Sequence, residues 1–170
     1  MTASKAIWTW YYASAAPAPP PPPPPPCPPL PTRYTVVTFD VPNAEITYSG
    51  GSRSDDDTVF GWGLASPPGN WYYHSLDDVD VLTLTVTDPT ATPYNRVKMR
   101  KAGALKMTMY GDMGTVREYL FDPDAFPAFV QIDEWQLLAG LCGEAIASLT
   151  FTYNRSGLWA IDDVEFGTAP

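Results

Sequence analysis

Histidine occurs once in this chain, cysteine twice, and lysine and arginine together only ten times in 170 residues. Each shortage removes a class of function. One His and two Cys are too few for a zinc centre built from those ligands. A Ser-His-Asp or Cys-His device would have to be built on His74, in Trp71-Tyr72-Tyr73-His74, and no G-x-S-x-G turn accompanies it. His74 therefore reads as a packed surface residue beside aromatics. Nineteen acidic residues give a net charge of −9, which excludes duplex nucleic acid as a partner. No apolar run approaches the roughly 18 residues of a membrane-spanning helix. Also missing are a C-x-x-C pair, a glycine-rich phosphate loop and the D-x-D-x-D-G spacing of a calcium loop. Carboxylates are plentiful, but no sequence environment marks one as a raised-pKa acid for glycoside hydrolysis. The chain reads as non-enzymatic.

Proline, by contrast, is abundant, and 12 of the 20 prolines lie between residues 17 and 31. Such a run lacks backbone donors and reads as a polyproline II rod, about 46 Å long at about 3.1 Å per residue. Three parts follow: a β-prone segment at 1–16, the proline linker at 17–32, and a folding unit at 33–170. In the first part Lys5, an apolar stretch and Ala13-Ser14-Ala15 resemble a secretory signal. Its aromatic content, Ile7, Trp8, Trp10, Tyr11 and Tyr12, favours a structural strand instead. Cys27 sits inside the rod and Cys142 in the apolar Leu141-Cys142-Gly143. Two readings stand: Cys142 as a buried small hydrophobe, or a disulfide joining Cys27 to Cys142 or to another chain.

From Arg33 onward short alternating runs recur. The clearest is Asp80 to Thr87, in which Leu82, Leu84 and Val86 face one way and Thr83, Thr85 and Thr87 the other. Further runs are Val37–Phe39, Ile46–Tyr48, Asp57–Leu64, Arg96–Met99, Leu105–Tyr110, Val116–Phe121, Phe129–Leu138 and Ile146–Tyr153. Turn signals separate them, among them Ser49-Gly50-Gly51, Asp88-Pro89 and Gly111-Asp112. The pattern predicts an all-β, jelly-roll-like two-sheet β-sandwich. One short helix is expected, over Glu134 to Leu141.

The last strand changes parity. Trp159 and Ile161 share one face, whereas Val164 and Phe166 share the other. A β-bulge at Asp162-Asp163 absorbs the extra residue. Adjacent carboxylates on a bulge form the kind of oxygen cluster a hard cation uses. Leu149-Thr150-Phe151-Thr152, followed by Trp159-Ala160-Ile161-Asp162-Asp163-Val164-Glu165-Phe166, resembles the end of galactose-binding-like jelly rolls. These occur in bacterial extracellular PEP-CTERM-associated surface proteins and in carbohydrate-binding modules. The resemblance is confined to these C-terminal strands, and the nearest match to the family's opening strand is the one ending Phe39-Asp40. It implies an extracellular or cell-surface location and a structural Ca2+ at Asp162 or Asp163.

Other residues carry weaker signals. Arg96, Lys98 and Arg100 alternate, so a strand sets them on one face, either solvated or docking an acidic neighbour or an anionic glycan. Trp62, Trp71 and Tyr72 lie near predicted loops, where rings either pack or stack on sugars. Asp55–Asp57 and Asp77, Asp78 and Asp80 read as solvated acidic loops. Asn154-Arg155-Ser156 is a glycosylation sequon. Two functions compete. The order of parts favours a structural subunit of an extracellular filament, its N-terminal strand added to the sheet edge of another copy. The alternative is a carbohydrate-binding module with glycans as partners.

Overall fold

The computed structural model describes residues 20, 22–23, 26–54, 72–75, 80–122, 129–140, 142–154 and 158–168. Eleven strands run through them: β1 Tyr34–Val37, β2 Ile46–Gly50, β3 Ser52–Ser54, β4 Tyr72–Ser75, β5 Leu82–Val86, β6 Arg96–Gly103, β7 Leu105–Gly111, β8 Val116–Phe121, β9 Val130–Leu137, β10 Ile146–Tyr153 and β11 Trp159–Gly167. Among the described residues there is no helix. Of the stretch Glu134 to Leu141, the residues as far as Leu137 are instead the end of β9, where Tyr119 on the facing sheet holds the strand, and Leu141 lies outside the described residues. The Tyr119 hydroxyl accepts from Leu137 N–H at 3.0 Å and donates to Leu137 C=O at 2.6 Å.

All pairings are antiparallel and form two sheets. Sheet A runs β3-β4-β11-β6-β9, with β1 also on β11, and sheet B runs β2-β5-β10-β7-β8. β11 pairs with β6 along one edge. Its other edge is shared, by β4 over Trp159–Ile161 and by β1 over Val164–Gly167. The handover falls at the expected bulge: the β11–β6 register slips between Asp162 and Glu165, and Asp163 takes φ +46°. That left-handed conformation is one Asp tolerates better than most residues. The bulge turns Trp159 and Ile161, then Val164 and Phe166, into one core, and none of the four has accessible surface.

Alternation builds the rest of that core. Leu82, Leu84 and Val86 of β5, Met107 and Met109 of β7, and Leu149 and Phe151 of β10 meet β6 and β11 across the sandwich. One flank closes where β2 passes into β3 through Gly50 and Gly51, at φ +75° and +65°. A Cβ on Gly50 would lie 2.1 Å from the Val81 carbonyl oxygen, so only glycine fits. Beside this corner Phe39, at φ +64°, packs edge-on against Tyr48 and Tyr73 at 5.5 and 5.1 Å. Arg53 holds its carbonyl at 2.6 Å. The opposite flank closes through Tyr119 and through Arg117, which donates to the Ala139 carbonyl at 3.3 Å.

The proline segment is fastened to the sandwich. Cys27 and Cys142 form a disulfide across 115 positions, and both are exposed, so Cys142 is not the buried hydrophobe its apolar context suggests. Thr168 Oγ1 donates to the Pro31 carbonyl at 2.8 Å and accepts from Arg33 N–H at 2.9 Å. Arg33 then reaches Glu45 at 3.3 Å, and Glu45 accepts from the Tyr94 hydroxyl at 2.5 Å.

Two measurements follow. Closing so long a loop destabilises the unfolded chain by about 5 kcal/mol. Guanidinium unfolding with reductant, or of Cys142→Ser, should therefore show a midpoint lowered by about that free energy. Burial, with the Glu45 carboxylate at its hydroxyl, pushes the Tyr94 phenol up to about 12 from an ordinary 10.0. Because the folded value is the higher one, the Tyr94 contribution is complete below pH 10 and is lost as pH rises from 10 to 12. Unfolding followed across that window should show stability falling for the parent chain and falling less steeply for Tyr94→Phe.

Candidate functional site

The basic strand behaves as its alternation requires. Val97 and Met99 of β6 are buried, and Arg96, Lys98 and Arg100 stand on the outer face of sheet A. Lys101 follows the inward parity: it is buried, and its Nζ donates to the carbonyls of Gly103 and Asp122, each at 3.1 Å. Lys98 pairs with Glu165 at 3.5 Å. Arg100 Nη1 lies 3.2 Å from Asp162 Oδ2 and 3.0 Å from Asp163 Oδ2. Asp162 has no accessible surface, and its Oδ1 accepts from the Asp163 N–H at 2.9 Å. The cation facing the two bulge carboxylates is thus a guanidinium. Calcium takes six to eight oxygens, and a pair already engaged by Arg100 does not fit that requirement. Among the described residues no three His, Cys, Asp or Glu side chains are grouped to hold a metal.

Beyond the bulge the same face is covered. Tyr72 is fully buried against Ala102 and Ala160, with Phe129 packed beside them, and its ring meets Phe129 edge-on at 5.6 Å. It packs where loop exposure would have let it stack on a sugar. His74, also buried, lies 5.8 Å from the Tyr72 ring. Burial lowers its pKa, opposed by Asp80, so the ring is neutral at pH 7. Asn154 is buried too, and its Nδ2, the atom a glycan would occupy, donates to the Phe121 carbonyl at 3.4 Å. Trp62, Trp71, the acidic residues 55–57, 77 and 78, and the whole segment 1–16 with Ile7, Trp8, Trp10, Tyr11 and Tyr12 lie outside the described residues.

Sheet B presents a different surface. Its inward side chains are apolar, which leaves the hydroxyl-bearing ones outward. Strand register then aligns them into rows. One row runs Thr47–Thr85–Ser148–Tyr110 across β2, β5, β10 and β7. The next runs Ser49–Thr83–Thr150–Thr108 and ends at Glu118 on β8. Neighbouring groups within a row are about 4.8 Å apart, and the rows are separated by about 7 Å. The charges on this face neutralise one another, since Lys106 and Glu118 pair at 3.2 Å. Tyr110, 39% exposed, stands at the end of the first row, with exposed Val116 opposite it on β8.

Sequence reading identified the outward threonines of β5 and β10 but not the surface they form. It assigned no role to Tyr110. The available signal was the repeated Thr-x-Thr on two runs, Thr83-Leu84-Thr85 and Thr150-Phe151-Thr152. Only the pairing of β5 with β10, and of β10 with β7, sets them side by side with the Tyr110 ring.

No protein-family model matches the chain, and no curated protein matches its sequence. Among solved structures, the chain is similar to the Family 11 carbohydrate-binding module of the cellulosomal cellulase Lic26A-Cel5E of Clostridium thermocellum. The TM-score is 0.41 at 10% identity, over 82% of this chain and 97% of that one.

The Arg100 pairing generates a test. Arg100→Ala takes the guanidinium away from the fully buried Asp162 carboxylate and should cost about 3 kcal/mol. Equilibrium urea unfolding reads that loss, and the double variant Arg100→Ala, Asp162→Ala should recover part of it.

Proposed function

We propose that this chain is a non-catalytic carbohydrate-binding module that works outside the reducing cytosol and takes neutral glycans on the open face of sheet B. The observation that carries the reading is the pair of hydroxyl rows, one of which ends at the exposed Tyr110 ring. Sugars offer donors and acceptors at close intervals around a ring whose axial C–H groups are apolar. Thr and Ser hydroxyls rotate to donate or accept, and an aromatic face takes the C–H side. The face carries no net charge from its one ion pair, which suits an uncharged ligand. Hydrolysis would need two carboxylates flanking a glycosidic bond, and Glu118, the carboxylate in these rows, is held by Lys106. The Cys27–Cys142 bond favours an oxidising compartment.

Assembly by strand addition finds less support. Its donor would be residues 1–16, which lie outside the described residues.

Affinity electrophoresis against a panel of soluble neutral polysaccharides tests the proposal. The full chain should be retarded by at least one of them. Tyr110→Ala should weaken that retardation at least tenfold, while Tyr110→Phe keeps most of it. Unretarded migration in every neutral polymer would overturn the reading.

A further inference from the structure

The outer face of sheet A holds a second constellation that the hydroxyl face does not use. It begins with a bulge. Val97 of β6 pairs with Gln136 and Met99 with Ile132, so three residues of β9, Asp133 to Trp135, stand opposite the single Lys98. The surplus carries the Trp135 side chain inward over the sheet as far as β11. There Gly167 leaves room for it: a Cβ at Gly167 would lie 3.2 Å from Trp135 Cη2 and 3.2 Å from Arg96 Nε. Arg96 Cζ and Lys98 Nζ sit 4.4 and 4.6 Å from the indole ring centre, within cation–π range. On the far side of β11, Tyr34 pairs in register with the same Gly167 and is 59% exposed. Burial and the neighbouring Glu165 carboxylate raise its pKa, and Glu165 pairs with Lys98.

The cations of this face are not equally satisfied. Arg100 holds two aspartates and Lys98 holds Glu165. Arg96 has no carboxylate partner among the described residues, and its buried Nε has no acceptor. A partly buried guanidinium with no carboxylate partner among the described residues, held over a tryptophan and near an exposed tyrosine, is a cationic site with an aromatic neighbour. Guanidinium matches a carboxylate in geometry and charge, and the exposed Tyr34 ring offers the stacking surface that a sugar requires.

We propose that Arg96, Trp135 and Tyr34 form a second carbohydrate contact, selective for acidic sugars of the uronate type. Trp135 holds the guanidinium in place, Arg96 meets the carboxylate and the Tyr34 ring takes the sugar face. The two sheets would then hold two glycans of different charge on opposite sides of one module. The proposal shares the carbohydrate reading of the chain but stands on different residues from the neutral face.

The test uses the full, oxidised chain with polygalacturonate, its fully methyl-esterified form, and the neutral polysaccharide that binds best. The expected result is binding of polygalacturonate at low salt, weakened by added salt. Loss of at least tenfold is expected with Arg96→Gln and with Tyr34→Ala, and the esterified polymer should be taken up weakly. Tyr34 is exposed, so its variant tests the site without disturbing the core, and Trp135→Phe serves the same end for the ring that holds the guanidinium. Neutral-polymer binding should be unchanged in these variants and lost in Tyr110→Ala, so failure of one face is distinguishable from failure of the other. Equal binding of the esterified and acidic polymers, or full affinity in Arg96→Gln and Tyr34→Ala, would overturn the proposal.

Discussion

β11 is the strand on which sheet A depends, and the Asp162–Asp163 bulge is the constraint that lets it serve three neighbours. An unbroken β11 with this sequence would bury either Trp159 and Ile161 or Val164 and Phe166, but not both pairs. One extra residue, left-handed at Asp163, reconciles them. It also marks where β4 gives way to β1 along one edge. The distortion brings two carboxylates together, one of them without any accessible surface. Such a pair is tolerable only with a cation beside it, and Arg100 on the adjacent strand supplies the charge at 3.2 and 3.0 Å. The residues that look like a metal site are thus part of the means by which the strand is bent.

The same logic divides the outer faces. Where Arg100, Asp162, Tyr72 and Phe129 meet, sheet A is covered and its polar groups satisfy one another. Toward the β1 end Gly167 removes a side chain, so Trp135 lies down on the sheet beside the exposed Tyr34. Among the described residues the hydroxyl rows of sheet B are exposed or partly exposed, apart from the buried Thr108. Two faces of one sandwich therefore offer different chemistry, hydroxyls and a tyrosine on one side, aromatics with a guanidinium on the other. The tether is tied in before the first strand, by the disulfide at Cys27 and by Thr168 at Pro31 and Arg33.

How much of this could be read in advance depends on the range of the interaction involved. Period-two alternation is local, so the strands of β5, β6, β7, β8 and β10, and the inward sets Leu82-Leu84-Val86 and Val97-Met99, were legible from the residues alone. The bulge was legible for the same reason, because a parity change within eight residues has a single local remedy. At Glu134 to Leu141 the residues allowed both strand and short helix, and the strand state at Leu137 comes with a contact to Tyr119, 18 positions away. For Tyr72, glycine and proline nearby left packing and sugar stacking both open, and β4 decides for packing by carrying it against Phe129.

What the sequence by itself determined is therefore the class: an all-β sandwich, its core-facing residues, the site of its bulge, and a chemistry too poor in His and Cys for most catalysis. Those follow from alternation and composition, which need no knowledge of which strand lies beside which. The tertiary structure alone decided that Arg100 faces the two aspartates, that Cys27 reaches Cys142, and that Thr85, Ser148 and Tyr110 share a row. Each of these joins residues far apart in the chain, and strand order, which no local preference encodes, is what brings them within a hydrogen bond or a covalent bond of one another.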